Sequence, residues 1–231
     1  MLPWFGLTGM IISGLSLLPS FLIFYLCPDA GILTAMQMAL VWLGGEAFLT
    51  GGMHWDGLAD LGDALHSLGD REKFRAILND SRLGVYGALS LVFFALFQWL
   101  AASSIFFAFL RQDKQFFCII LLLCSGFWSR LCPLYLAYNI KAADWSRLGA
   151  LFCGKMNTRF LFIALLQSLL CLCIMFFCHA PFRNICALAI GQLFFVRYLA
   201  LKAGKAGGMS GDFMGAGIVL SQTLFLICAQ V

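Results

Sequence analysis

The sequence predicts an all-α, polytopic helical membrane protein of about seven transmembrane helices, with a polar acidic segment on one face. Three observations predict it. The 231 residues are 62% hydrophobic and only 11% charged, with a mean hydropathy of +0.92, far above the apolar share of a soluble domain. Apolar runs, to which 24 Phe contribute, reach the ~20 helical residues needed to cross a hydrocarbon core of about 30 Å. The alternation of apolar and polar residues that marks a membrane barrel is not seen, so helices must satisfy the backbone in lipid. The chain reads as one integral membrane domain over residues 1–231.

Taken in order, the first run, about 2–26, has no basic leading region and no Ala-x-Ala site, so it is expected to stay as a helix rather than be cleaved. The second, 32–51, carries Glu46 and ends at a polar segment, 52–83. The third and fourth, 84–110 and 116–140, are joined by a short connection from Arg111 to Gln115, and Arg130 interrupts the fourth. A polar segment, 141–159, precedes the fifth run, 160–178; Ala180 to Arg183 joins it to the sixth, 184–201, which carries Arg197 near its end. A glycine-rich segment, 202–212, leads into the last run, 213–231, while the first two runs turn at Pro28-Asp29.

Long and short connections alternate, so the three long segments share a face. They hold ten basic residues, Arg71, Lys73, Arg75, Arg82, Lys141, Arg147, Lys155, Arg159, Lys202 and Lys205, against three opposite, Arg111, Lys114 and Arg183. The positive-inside rule puts the long segments in the cytoplasm, with the N-terminus inside and the C-terminus outside. That topology accounts for the net charge of +4 without nucleic acid. The ten Cys form no CxxC pair and read as small core residues. No internal repeat is evident, which disfavours an inverted-repeat transporter.

The segment Gly51-Gly52-Met53-His54-Trp55-Asp56-Gly57-Leu58-Ala59-Asp60-Leu61-Gly62-Asp63 spaces carboxylates at i, i+4 and i+7, along one stripe of a helix. Three anions so placed repel one another unless a cation lies between them, and hard carboxylate oxygens suit Mg²⁺, Mn²⁺ or Ca²⁺ rather than zinc. A merely solvated face is the bland alternative, but the four glycines make a poor ordinary amphipathic helix. Glycines at these positions let a ligand or another backbone approach closely. His54 either binds phosphate, shuttles a proton or is structural. Next, Asn79-Asp80-Ser81-Arg82-Leu83-Gly84 adds a carboxylate that completes a metal shell, positions a hydroxyl or caps the third span, with Arg82 suited to phosphate oxygens.

Ionisable residues within spans usually face the bundle interior or a watery cavity, which makes Glu46 and Arg130 site candidates, whereas Arg197 fits snorkelling to the interface. Lys155 is a weaker candidate for phosphate binding. In Lys202-Ala203-Gly204-Lys205-Ala206-Gly207-Gly208-Met209-Ser210-Gly211-Asp212, Gly207, Gly208 and Gly211 suggest a backbone-amide cradle for phosphate, with Lys205 beside it and Asp212 available for metal. A linker with a helix cap is the plain alternative, and the Walker A spacing is not met. Carboxylates, cations and a glycine loop on one face suggest metal-assisted transfer of a phosphate-bearing group.

Three motifs, Thr50-Gly-Gly-Met-His-Trp-Asp-Gly-Leu-Ala-Asp-Leu-Gly-Asp63, Asp80-Ser-Arg-Leu-Gly84 and Gly207-Gly-Met-Ser-Gly-Asp-Phe-Met-Gly-Ala216, resemble those of the cobalamin synthase (adenosylcobinamide-GDP ribazoletransferase) family, in the same order and across nearly the whole chain. The resemblance implies transfer of adenosylcobinamide phosphate from adenosylcobinamide-GDP to α-ribazole or its 5′-phosphate, releasing GMP, with Mg²⁺ as cofactor. It further implies a multi-pass protein of the bacterial cytoplasmic (inner) membrane with its active face cytoplasmic, in contact with lipid. Contact with other corrin-pathway enzymes and a homo-oligomer stay open. On this resemblance Asp56, Asp60, Asp63 and Asp80 with Arg82 are catalytic candidates; Asp56, Asp60, Asp63, Asp80 and Asp212 are metal candidates; and His54, Arg130, Lys155, Lys205, Gly207, Gly208 and Gly211 are substrate-binding candidates. The sequence departs from the family at Asp63-Ala64, where Asp-Gly is usual. The acidic motif also resembles, more loosely, that of CDP-alcohol phosphotransferases, but Leu61-Gly62 stands where Ala-Arg is expected.

Overall fold

The computed structural model describes residues 2–27, 31–67, 70–80, 82–111 and 115–230. The Pro28-Asp29 connection, Ser81 of the Asp80 motif and Lys114 lie outside the described residues. After a 3-10 turn at Leu2–Trp4 come α1 (Phe5–Leu26), α2 (Ile32–Leu49), α3 (Met53–Ala64), α4 (Arg71–Leu78), α5 (Val85–Leu110), α6 (Gln115–Ser129), α7 (Leu131–Asn139), α8 (Arg147–Cys153), α9 (Thr158–Phe177), α10 (Phe182–Ala206) and α11 (Gly211–Cys228). Among the described residues seven spans are long and apolar enough to cross a membrane, α6 and α7 together making one of them.

Two boundaries differ from the sequence reading for identifiable reasons. The fourth span breaks at Arg130 because Pro133, in the first turn of α7, has no N–H to donate to the Ser129 carbonyl. The sixth span continues to Ala206, so Lys202 to Ala206 prolong a helix instead of starting a loop. Good helix formers such as Lys and Ala support those turns, and Gly207, at φ 103°, ends them in the left-handed conformation usual after a helix.

The spans are sorted by burial. In α6–α7 78% of the span window is buried and in α11 72%, against 17% in α9 and 22% in α10, so the former are central posts and the latter face lipid. The lipid-facing surface carries Leu165, Leu169, Phe176, Leu193 and Phe194. Small residues allow the central helices to approach: Gly6, Gly9, Ser13, Ser16 and Ser20 form a buried stripe on α1, and a Cβ on Gly9 would lie 2.7 Å from the Arg130 Cδ. Such stripes are how helices associate in lipid, where no hydrophobic force distinguishes protein from solvent.

Beneath α3 this packing encloses a polar centre. Glu46, 6% exposed, accepts hydrogen bonds from the Ser13 hydroxyl and, at 2.6 Å, from the Gln222 amide. The Trp42 indole donates to the Ser13 carbonyl at 3.1 Å. Arg130, 2% exposed, donates to the Ser129 hydroxyl at 2.8 Å, and its charge acts on Glu46. The hydrogen bonds tie α1, α2 and α11, and the Arg130 charge joins the end of α6 to them.

At one end of the bundle the three long polar segments come together, as the alternation of loops implies. Met209 donates to the Lys141 carbonyl at 2.9 Å, and Ala143 donates to the Met209 carbonyl at 3.0 Å. Arg71 Nε donates to the Lys205 carbonyl at 3.2 Å. The Phe74 ring of α4 stacks on Phe213 of α11, centroids 6.2 Å apart.

Candidate functional site

Thr50, Gly51 and Gly52 turn the chain out of α2 and into α3. Both glycines adopt positive φ, 60° and 72°, with open space where a Cβ would point, so the turn needs glycine for its backbone while leaving room above it. The helix that follows carries Asp56, Asp60 and Asp63 as the spacing required. Gly57 is the point of closest approach to α11: a Cβ there would lie 2.9 Å from the Asp212 Cα. The glycine that spoils the amphipathic pattern thus admits another backbone, and it brings Asp212 to the acidic stripe.

The carboxylates then divide. Asp60 is pushed up to about 6 from its ordinary 3.8, first by burial, then by the charges of Asp56, Asp212 and Asp63 in that order. Asp56 and Asp212 also act on each other. Asp212 accepts a hydrogen bond from the Ser210 hydroxyl at 2.9 Å. Asp63 has a different role: its two oxygens accept from the Gly84 and Gly87 amides, each at 2.8 Å, capping the start of α5. Asp80, offered by the sequence as a metal ligand, a group that positions a hydroxyl or a cap, does not cap α5, whose N-cap is Gly84. It forms an ion pair with Arg82 at 2.7 Å, on the surface, and Arg82 holds its carboxyl down at about 2.

A cleft of about 480 Å³ opens over this face, lined by Gly51, Gly52, Trp55, Asp56, Asp60 and Arg82 among others. It joins the carboxylates of α3 to the Arg82 guanidinium, which is paired with Asp80. His54 sits just inside, beside Gly215 of α11. Burial, and secondarily the Arg130 charge, lowers it to about 4, so near neutral pH it is an uncharged imidazole, able to hydrogen-bond but not to neutralise a phosphate. His66, unassigned from sequence, stacks on Tyr86 with centroids 3.7 Å apart.

The other candidates are placed as follows. Arg130 lies under α3 within the polar centre, not in the cleft. Lys155 is exposed just beyond α8. Gly207 and Gly208 do not cradle a ligand with their amides: the Gly207 and Gly208 N–H groups both return to the Ala203 carbonyl, and Gly208 packs against Ala142 and Ala143. Gly211 opens α11, one residue before Asp212. Lys205 is exposed and borders, through its carbonyl, a second cavity with Arg71. That cavity, lined by Arg71, Glu72, Arg75, Asp144, Trp145 and Gly207, was not legible in the sequence. Its one local signal is the Arg71/Arg75 spacing of one helical turn, a spacing that membrane topology also accounts for.

Among the described residues no three His, Cys, Asp or Glu side chains already stand within ligating reach of one point. By chemistry, the carboxylates suited to a hard divalent cation are Asp56 and Asp60 of α3 with Asp212 of α11, whose like charges act on one another. Asp63 and Asp80 have their oxygens engaged elsewhere.

The family model described as Cobalamin-5-phosphate synthase matches residues 1–230. Similar proteins named adenosylcobinamide-GDP ribazoletransferase occur in Caldanaerobacter subterraneus subsp. tengcongensis, 33% identical over 92% of this chain and 79% of that protein, and in Citrobacter koseri, 33% identical over 78% and 70%. The protein of that name from Clostridium novyi is 27% identical over 96% of this chain and 82% of its own length. No solved structure matches the chain.

Proposed function

The chain belongs to the cobalamin-5-phosphate synthase family, and on that premise we propose that it transfers adenosylcobinamide phosphate from adenosylcobinamide-GDP to α-ribazole or its 5′-phosphate at the cytoplasmic face of a bacterial inner membrane. The products are GMP and adenosylcobalamin or its 5′-phosphate. The observation that carries this reading is the convergence of Asp56, Asp60 and Asp212 beneath a cleft whose wall includes Arg82.

The chain's own groups have distinct tasks in this reaction. The ribose hydroxyl of the acceptor attacks the cobinamide-bearing phosphorus, the bond from that phosphorus to the GMP oxygen breaks, and the hydroxyl proton passes to a carboxylate of the trio. Arg82 leaves Asp80 for a phosphate oxygen, an exchange favoured because its ion pair is water-exposed and weak. His54, uncharged, positions the substrate or α3 by hydrogen bonding. Mg²⁺ held by Asp56, Asp60 and Asp212 would neutralise the diphosphate and the charge developing on the leaving GMP. Asp63 keeps α5 in register under the cleft.

The test is release of GMP by the purified protein in lipid nanodiscs, supplied with both substrates and Mg²⁺. Stoichiometric GMP and cobalamin formation is expected. No GMP under saturating Mg²⁺ would remove the enzymatic reading.

A further inference from the structure

We propose that the second cavity, bounded by α4, the Ala142–Ser146 loop and the end of α10, is the subsite for the guanine base, with Asp144 as the residue that selects guanine. The inference rests on the proposed reaction, whose donor must place a guanosine near the carboxylates. The cavity is about 190 Å³, room for a flat bicyclic base but not for a corrin ring. One wall is planar: the Arg75 guanidinium lies over the Trp145 ring, 5.6 Å from its centroid, and purines stack on both kinds of surface. Gly207, whose φ of 103° favours glycine, forms part of its lining.

The charges lining this cavity do not cancel in pairs. Among the described residues the ion pair is Arg82–Asp80, so Arg71, Glu72, Arg75 and Asp144 hold no salt bridges with one another. A site for phosphate alone would need only the cations. A carboxylate beside a stacking surface is complementary instead to adjacent N–H donors, which guanine presents at N1 and its 2-amino group and adenine does not. Asp144 is the better reader than Glu72, because its loop is pinned to the α11 entry through Lys141, Ala143 and Met209. Glu72 sits instead in the first turn of α4, where the helix dipole already favours an anion.

The placement suits the donor. Phe74 of α4 stacks on Phe213, the residue after Asp212, so the helix that carries Arg71 and Arg75 touches the helix that carries Asp212. Arg71 and Arg75 in the same lining are available to the phosphates that the base carries.

The experiment uses nanodisc-embedded enzyme, with GMP, IMP and AMP as competing ligands and turnover followed in the same preparation. The wild type is expected to bind GMP best, IMP less well for want of the 2-amino group, and AMP weakest. Asp144→Asn should flatten that ranking and raise KM for adenosylcobinamide-GDP roughly 10- to 100-fold, the loss of a charge-assisted hydrogen-bond pair, with kcat kept. Trp145→Phe should abolish the GMP-induced quench of tryptophan fluorescence. If Asp144→Asn turns over and keeps the full GMP preference, or Trp145→Phe keeps the quench, the base binds elsewhere and the reaction assignment stands. If the wild type neither turns over nor binds GMP, the reaction assignment falls and this one with it.

Discussion

Two groups of charges lie one above the other in this protein and are resolved in opposite ways. Inside the bundle, Glu46 has Ser13, Gln222 and the Arg130 charge around it, and Arg130 has Ser129. At the water edge, Asp60 is affected first by burial and then by the like charges of Asp56, Asp212 and Asp63, with no cation among the causes, and Asp212 by burial, its Ser210 bond and lastly Asp56. The difference follows from solvent. In lipid an uncompensated charge is too costly to keep, so the interior set is complete within the fold. At the edge, water tolerates repulsion, and an incomplete set persists where a ligand completes it. On the proposed function, the interior charges serve folding and the edge charges serve the chemistry.

That contrast predicts opposite phenotypes. The largest effect belongs to the edge: Asp60→Asn should cut GMP release by at least ~1000-fold, the several kcal/mol of charge stabilisation expected of a metal-assisted transfer. Its melting temperature without Mg²⁺ should stay level or rise, because a repelling charge has gone. An Asp60→Asn protein that melts far lower would break the distinction. Next comes Arg130→Met, which strands Glu46 in the interior and should destabilise by about 3–5 kcal/mol, read by denaturation in detergent. Any surviving folded fraction should retain measurable turnover, whereas loss of turnover with full stability would move Arg130 into the site. Asp63→Ala removes the cap on α5 and should cost about 0.5–2 kcal/mol, with a smaller loss of rate than Asp60→Asn. Asp80→Ala, at an exposed surface pair, should leave the melting temperature unchanged and raise KM only mildly.

The acidic stripe could be read from sequence because helical spacing is a local property: Asp56, Asp60 and Asp63 are one and two turns apart on α3 whatever surrounds them. The seven spans were legible for a similar reason, since length and apolarity decide what crosses a bilayer. What each carboxylate does was not legible. Asp63 became a cap only because Gly84 and Gly87, more than twenty residues on, present their amides to it, and Asp212 joined the stripe only because Gly57 lets α11 come close. The glycines before α11 looked like an open cradle, yet their amides turn inward to Ala203, a consequence of α10 running further than its apolar pattern. Trp145 and Asp144 escaped notice because a cavity between three segments has no linear pattern.

The central claim is that Asp60, with Asp56 and Asp212, forms a cation site at the membrane edge. Without cation, Asp60 titrates at about 6 instead of 3.8, so the native state holds its proton more tightly than the unfolded chain. Stability from this group is therefore present at low pH and lost as pH rises through that interval. A divalent cation competes with the proton, so its benefit must grow over the same range. The direct measurement is the melting temperature of the nanodisc-embedded protein with Mg²⁺ against EDTA, at about pH 5 and about pH 7.5, for wild type and Asp60→Asn. A Mg²⁺-dependent rise in the wild type that is larger at the higher pH and absent in Asp60→Asn is the predicted result. An equal rise in both proteins, or none in the wild type at either pH, would contradict the assignment.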